Sequence, residues 1–250
     1  MSEPRPMADR ERFKQDEPAT RARAFQAAVY ARITSVDPVP TGGPVCLFAV
    51  GLPAILERLK VLERATSSVV YNLAPRCPFD PQRREREPNL RTRARGLQGH
   101  MITAPMQHLS LVGAVHPDTW VAPKVPATGI VVDERIGLFP GPPTPDGQPT
   151  AWLCRDSDLV MAFCQLWWET QQQAVPIREV PGVLPLTERQ LEVAALLSRG
   201  AKDATIARRL RVSARTVTSD VGRLLDAFGV ATRWEGGLVI GRACPPTLDG

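Results

Sequence analysis

The sequence predicts an α+β/α chain of two domains: an N-terminal α/β sandwich and a C-terminal all-α unit of four helices. Three observations carry this. A chain of 250 residues with 43% hydrophobic content is long enough for two packed cores. Between Pro53 and Gln172, apolar residues alternate between helical and strand periods. From Leu186 onward only the helical period remains, punctuated by caps and a tight turn.

Taken in order, residues 1–22 are rich in Arg, Glu, Asp and Pro with little to bury, and read as a disordered tail. The regulatory domain spans 23–178. Phe25, Val29 and Ile33 share a helical stripe, and a Pro/Gly loop follows through Pro38, Pro40, Gly42, Gly43 and Pro44. Ile55, Leu59 and Leu62 mark a helix to Ala65, and Ser67–Leu73 reads as a strand stopped by Pro75. The arginine-rich stretch 83–95 fits a helix or loop, and Gly99–Thr103 a strand. Gly129–Val132 and Ile136–Phe139 form a hairpin around Asp133-Glu134-Arg135. Ala151–Cys154 is a strand, and Asp156 or Ser157 caps a helix burying Leu159, Phe163, Leu166 and Trp167. A proline-bearing stretch, Pro176–Pro185, with the linker proper at 179–185, leads to the last domain, 186–246.

That domain opens with a capping box, Thr187 and Gln190, and its first helix stops at Gly200. A second helix runs from about Asp203 to Leu210, Arg211-Val212 make a turn, and Ser213 caps a third helix. Val217, Val221, Leu224 and Phe228 form one apolar stripe on it, while Arg215, Thr218, Ser219 and Gly222 share the opposite face. A small, polar face nearly free of carboxylates is what a helix needs to enter the major groove. A fourth helix starts at Thr232, with Glu235 completing its box and Trp234, Leu238 and Gly241 along one side. Gly236 and Gly237 are expected to weaken it, each by about 1 kcal/mol relative to alanine.

The run Leu186-Thr187, Ile206-Ala207-x-x-Leu210-x-Val212-Ser213-x-x-Thr216-Val217 resembles the C-terminal DNA-binding domain of LuxR-type (NarL/FixJ) transcription regulators. The resemblance implies base contacts at Thr218, Ser219 and Gly222, and phosphate contacts at Lys202, Thr216 and Arg233. Ser213, Arg215 and Arg223 complete the expected DNA-binding set. It also implies dimerisation through the fourth helix, at Trp234, Leu238 and Gly241. The sequence departs from the family where lysine is common, at Thr218 and Gly222, and has Asp220 where histidine is common; Arg215 and Arg223 compensate.

The first half is similar to the effector half of actinobacterial LuxR-type regulators, related to TrmB-like and phospholipase-D-like domains. The matching features are Ala65-x5-Tyr71-x3-Pro75, the Ile130–Leu138 hairpin with Asp133 and Arg135, and the Asp158-Leu159 helix carrying Trp167-Trp168.

The net charge is +5, and ten Lys and Arg against six acids in 186–243 place an excess of four in the smaller domain. Five scattered cysteines without a C-x-x-C pair favour reduced thiols in a cytoplasmic protein. No signal peptide or membrane span is expected. His100 lacks the lysine two residues on that phospholipase D chemistry requires, and no P-loop or nucleophile elbow occurs. His100, His108 and His116 on one strand would stand too far apart to share a metal. No catalysis, metal or cofactor is therefore expected. The reading is a homodimeric transcription regulator that binds double-stranded DNA and senses a small-molecule effector or dimerises through its first domain. The alternative is an interaction module contacting sigma factor or RNA polymerase without sequence-specific DNA binding.

Overall fold

The computed structural model describes residues 7–35, 43–82 and 86–244. Its elements follow the order α1 (Met7–Thr34), β1 (Val45–Val50), α2 (Leu52–Ala65), β2 (Val69–Ala74), α3 (Arg86–Ala94), β3 (Gln98–Thr103) and α4 (Leu109–Val115). Then come β4 (Trp120–Val121), β5 (Gly129–Val132), β6 (Ile136–Gly141), β7 (Thr150–Cys154), α5 (Ser157–Gln171) and β8 (Val175–Pro176). A 3-10 turn at Ile177–Glu179 leads to α6 (Glu188–Leu197), α7 (Asp203–Leu210), α8 (Ala214–Phe228) and α9 (Arg233–Ala243). The chain divides into two compact units that are not consecutive in sequence. The first holds Met1–Pro75, Leu97–Ile102 and Lys124–Gln173; the second holds Arg76–Gly96, Thr103–Pro123 and Ala174–Gly250.

In the first unit the strands lie in the order β1-β7-β6-β5-β2-β3. The β5–β6 hairpin pairs Ile130 with Leu138, Val131 with Gly137 and Val132 with Ile136. Successive strand residues face opposite ways, so Phe139 and Leu138 serve different layers. Phe139 meets Phe25 of α1 at 5.2 Å and Phe163 of α5 at 5.3 Å. Leu138 belongs instead to a cluster with Phe48 and Ala49 of β1, against which Ile55 and Leu59 of α2 pack. Helices thus cover both faces of the sheet, as an α/β sandwich requires. Gly129 makes room for the aromatic layer: a Cβ there would come within 2.7 Å of the Phe139 ring and 2.9 Å of Phe163.

Two expectations are corrected in this unit. The helix expected from Arg21 starts at Met7, inside the segment read as disordered, because Arg, Glu, Lys and Gln are good helix formers without an apolar stripe. Its packed portion begins at Ala22 and continues through Phe25, Val29 and Ile33. Val45–Val50, for which no strand was expected, is a strand paired with β7; a short apolar run between Pro44 and Gly51 fits a strand of a covered sheet. Most of the expected Pro/Gly loop lies outside the described residues.

The β5–β6 turn is latched. Asp133 and Glu134 both have positive φ, 52° and 54°. The Asp133 carboxylate accepts from the Ser67, Ser68 and Val69 amides at 2.9, 2.7 and 3.1 Å, and from both serine hydroxyls at 2.8 and 2.9 Å. The turn is thereby tied to the start of β2.

In the second unit β4 pairs antiparallel with β8, Trp120 opposite Pro176 and Val121 opposite Val175. The segment expected to be a linker is built into this unit. Ile177 is buried, its amide donates to the Thr119 carbonyl at 2.9 Å, and the Leu184 amide donates to Ser110 Oγ at 3.0 Å. The prolines hid a segment with apolar anchors of its own. The core of α6–α9 is likewise not closed by those helices alone: Phe79 and Leu111 are buried in the same cluster as Leu191, Val193, Val217, Leu224 and Ile240. Phe79 is also pinned by its backbone, its amide donating to the Ala243 carbonyl at 2.8 Å.

The Asp133 latch predicts an acid-sensitive first unit. Burial alone would raise its pKa, but the hydrogen bonds from Ser67 and Ser68 outweigh it and hold the carboxyl far below the usual carboxylate range. A depressed folded pKa gives stability that is present above about pH 4, the unfolded value, and is lost as pH falls toward the folded value. Asp133→Asn, which tolerates positive φ, is expected to lower stability at pH 7 and to flatten its acid dependence. Denaturant unfolding from pH 7 to pH 3 tests this; parallel curves for both proteins would contradict the latch.

Candidate nucleic-acid interface

The α6 capping box forms as expected: Thr187 Oγ1 accepts from the Gln190 amide at 3.3 Å, and Gln190 Oε1 accepts from the Thr187 amide at 2.8 Å. Lys202, exposed, sits at the N-cap of α7 without a side-chain cap. The turn to α8 is made by Arg211 at φ 56°, whose amide donates to the Ala207 carbonyl. Ser213 caps α8, its Oγ accepting from the Thr216 amide at 3.1 Å and lying 2.9 Å from Thr216 Oγ1. Both residues expected at DNA are therefore also occupied in shaping the helix start.

Along α8 the apolar stripe Val217, Val221, Leu224 and Phe228 is buried. Arg215, Thr218, Ser219 and Arg223 are exposed, and Gly222 is half-buried. Thr218 turns its hydroxyl back to the Ala214 carbonyl at 3.1 Å. A Cβ at Gly222 would meet nothing within 4 Å, so the glycine leaves a shallow open place in this face. Arg233 forms an ion pair with Asp203 and a 3.4 Å hydrogen bond to the Ala201 carbonyl. It thereby joins the start of α9 to the start of α7, beside Lys202.

Asp220, which replaces a histidine common in the family, lies on the buried side of α8 with Val217, Val221 and Leu224 and is 3% exposed. Arg189 Nε and Nη2 donate to its carboxylate at 2.7 and 3.2 Å, and Gln190 Nε2 donates at 3.3 Å. The carboxylate thus keys α8 to α6 from within the buried side of the helix.

On α9, Gly236, Val239, Ile240 and Ala243 are buried, whereas Trp234 is 77% and Leu238 43% exposed; Gly241 is exposed with them. Gly236 has a packing role beside its expected propensity cost: a Cβ there would lie 2.5 Å from the end of the Leu225 side chain, so this glycine lets α9 approach α8.

Two contributors lay beyond sequence reasoning. Gln107 Nε2 donates to the Phe228 carbonyl at 3.2 Å, and Ser110 Oγ to the Ala227 carbonyl at 3.3 Å. Nothing in the local pattern at 107–110 signals contact with a helix end more than a hundred residues away.

The three evenly spaced histidines do not share a strand. His100 stacks on Tyr71 at 5.9 Å, and His108 Nε2 lies 2.8 Å from the Cys77 carbonyl. His116 follows α4, where burial, aided by Arg93, pushes its pKa down to about 4. Among the described residues no three His, Cys, Asp or Glu gather as a metal site, and no helix is long and apolar enough to cross a membrane. All five cysteines are free thiols.

Residues 184–236 match the bacterial regulatory proteins of the luxR family (GerE). They form a helix-turn-helix domain of that family, and this domain supports a DNA-binding regulator. No curated protein matches the chain. Among solved structures it is similar to TrmBL2, an archaeal chromatin protein, at 11% identity and TM-score 0.41 over 68% of each chain. It is also similar to NucT from Helicobacter pylori, at 11% identity and TM-score 0.41 over 53% of this chain and 98% of that one. The third is Nuc, a phospholipase D family member from Salmonella typhimurium, at 10% identity and TM-score 0.39 over 52% of this chain and 97% of that one. Likenesses at that level carry no argument about activity.

The α6–α8 key predicts an asymmetric mutational response. Arg189 is half exposed at its side chain while that of Asp220 is 4% exposed. Removing the arginine strands a buried carboxylate on Gln190 alone, whereas removing the aspartate frees a cation to rehydrate. Arg189→Ala is expected to cost about 1–3 kcal/mol and more than Asp220→Ala. Urea denaturation of both variants decides it, the reverse order counting against the key.

Proposed function

We propose that the protein is a homodimeric transcription regulator whose α8 reads the major groove of double-stranded DNA, with the first unit sensing a small-molecule effector or adding to the dimer. One observation carries the reading. The same helix buries Val217, Val221, Leu224 and Phe228 and exposes Arg215, Thr218, Ser219 and Arg223, a small polar surface with its flanking acid at Asp220 turned inward. Lys202, Arg233 and Thr216 near the helix starts suit phosphate contacts, which position the domain without reading sequence. Ser213 and Gly222 allow close approach of the backbone. Dimerisation is assigned to the exposed side of α9, where Trp234, Leu238 and Gly241 present apolar surface to solvent.

The lysine-poor face favours one rival, a surface for sigma factor or RNA polymerase. Selection of duplexes from a random-sequence library separates the two. The proposed function expects an enriched sequence; enrichment of none, with capture of purified polymerase, supports the rival.

Within the proposed function, Arg215→Ala and Thr218→Ala are expected to lose about 1–3 kcal/mol of discrimination at the bases they touch. Lys202→Ala is expected to weaken all duplexes alike and to reduce the salt dependence. Binding titrations on selected and random duplexes measure both; a changed sequence preference in Lys202→Ala would reverse the assignment of faces.

For the dimer, Leu238→Glu places a charge in the exposed apolar face of α9. It is expected to yield a monomer by sedimentation. The footprint should shrink from two half-sites, about 34 Å or a multiple apart, to one. A dimeric Leu238→Glu protein with an unchanged footprint would move the interface elsewhere.

A further inference from the structure

We infer that Gln107 and Ser110, in the turn that opens α4, are positioning residues for sequence reading: they hold the C-terminal end of α8 and so set its angle. This rests on the proposed function of α8 as the DNA reader.

The last four carbonyls of a helix have no partner within it. On α8 these are Leu225, Asp226, Ala227 and Phe228. Leu225 and Asp226 are satisfied locally, by the Gly229 and Val230 amides. Ala227 and Phe228 are not; their carbonyls accept from Ser110 Oγ and Gln107 Nε2. Ser110 is buried, 2% exposed, and its oxygen also accepts from the Leu184 amide at 3.0 Å. One hydroxyl therefore joins the end of the reading helix to the chain that enters α6. Beside it, Leu111 lies in the α6–α9 core.

Leverage makes the anchor matter. From Phe228 back to Arg215 the helix extends about 20 Å at 1.5 Å per residue. A tilt of about 5° at the anchored end moves the reading end by about 2 Å. Hydrogen bonds to base edges survive only a few tenths of an ångström. Lys202, on α7, is not carried by that tilt. Loosening the anchor is therefore expected to erode sequence discrimination and leave the phosphate contacts in place.

The test uses the full chain with Gln107→Ala and, separately, Ser110→Ala. Affinity is measured for a duplex selected by the unaltered protein and for a random-sequence duplex of the same length, each across a range of salt. The expected result is a fivefold to tenfold fall in the ratio of the two affinities, with the salt slope unchanged. A role in folding alone would lower both affinities by one factor and leave the ratio intact; that outcome overturns the inference. If Ser110→Ala does not fold, Gln107→Ala decides. Hydrogen exchange supplies a readout independent of DNA: faster exchange at the amides of 225–228 in Gln107→Ala is expected, and unchanged exchange overturns the anchor. Should the unaltered protein select no duplex, the proposed function fails, while the exchange experiment still judges the anchor.

Discussion

The second unit depends on one shared core. The stripe of α8 and the inner faces of α6 and α9 converge on a cluster that Phe79 and Leu111 complete, and the Phe79 amide locks onto the Ala243 carbonyl. A four-helix unit of this size has little interior of its own, and small domains bury a low fraction of their surface. Two large apolar side chains recruited from earlier segments are therefore a substantial addition. Truncating a buried phenylalanine or leucine typically costs about 2–5 kcal/mol, comparable to the whole stability of a small domain. The helix-turn-helix is not a bead on a tether, and its natural boundary includes 76–96 and 103–123.

That arrangement explains what the sequence revealed and what it withheld. Helix periods, capping boxes and the turn at Arg211 are local properties, and α6–α9 followed the expected pattern closely. The hairpin at Asp133, the Asp156 cap and the α5 stripe were legible for the same reason. Legibility ended where a partner lies far along the chain. The helical period already sets Asp220 among Val217, Val221 and Leu224, but not that Arg189 of α6 lies opposite to pair it there. Gly236 reads as a helix breaker until Leu225 is seen 2.5 Å from its missing Cβ. The prolines of 176–185 look like a tether because periodicity cannot show that Ile177 has a pocket to fill.

Burial of Asp220 also alters the electrostatics of the exposed face. Counting charges along the sequence sets ten cations against six acids, but a count does not distinguish an acid at the surface from one already paired. With Asp220 held by Arg189 and Asp203 by Arg233, two carboxylates are engaged, and so are two of the arginines. What remains exposed on and beside α8 is Lys202, Arg211, Arg215 and Arg223, with Asp226 toward its far end. A face of few cations makes a weak general attraction to DNA, since affinity from phosphates scales with the number neutralised. On the proposed function, specific reading then relies more on the fit of short side chains, Thr218 and Ser219, and on the angle at which they arrive.

Magnitudes decide what the α4 turn contributes to that angle. A side-chain hydrogen bond adds about 1 kcal/mol to net stability, so Gln107 and Ser110 together add about 2 kcal/mol. The shared apolar core outweighs this, and it holds α8 against α6 whether or not the two bonds form. Apolar packing is non-directional: it fixes that the helices touch, and leaves small tilts inexpensive. Hydrogen bonds to the two terminal carbonyls are directional, and they act where a tilt has its longest lever on Arg215 and Thr218. The core therefore keeps the reading helix in place, and the α4 turn aims it.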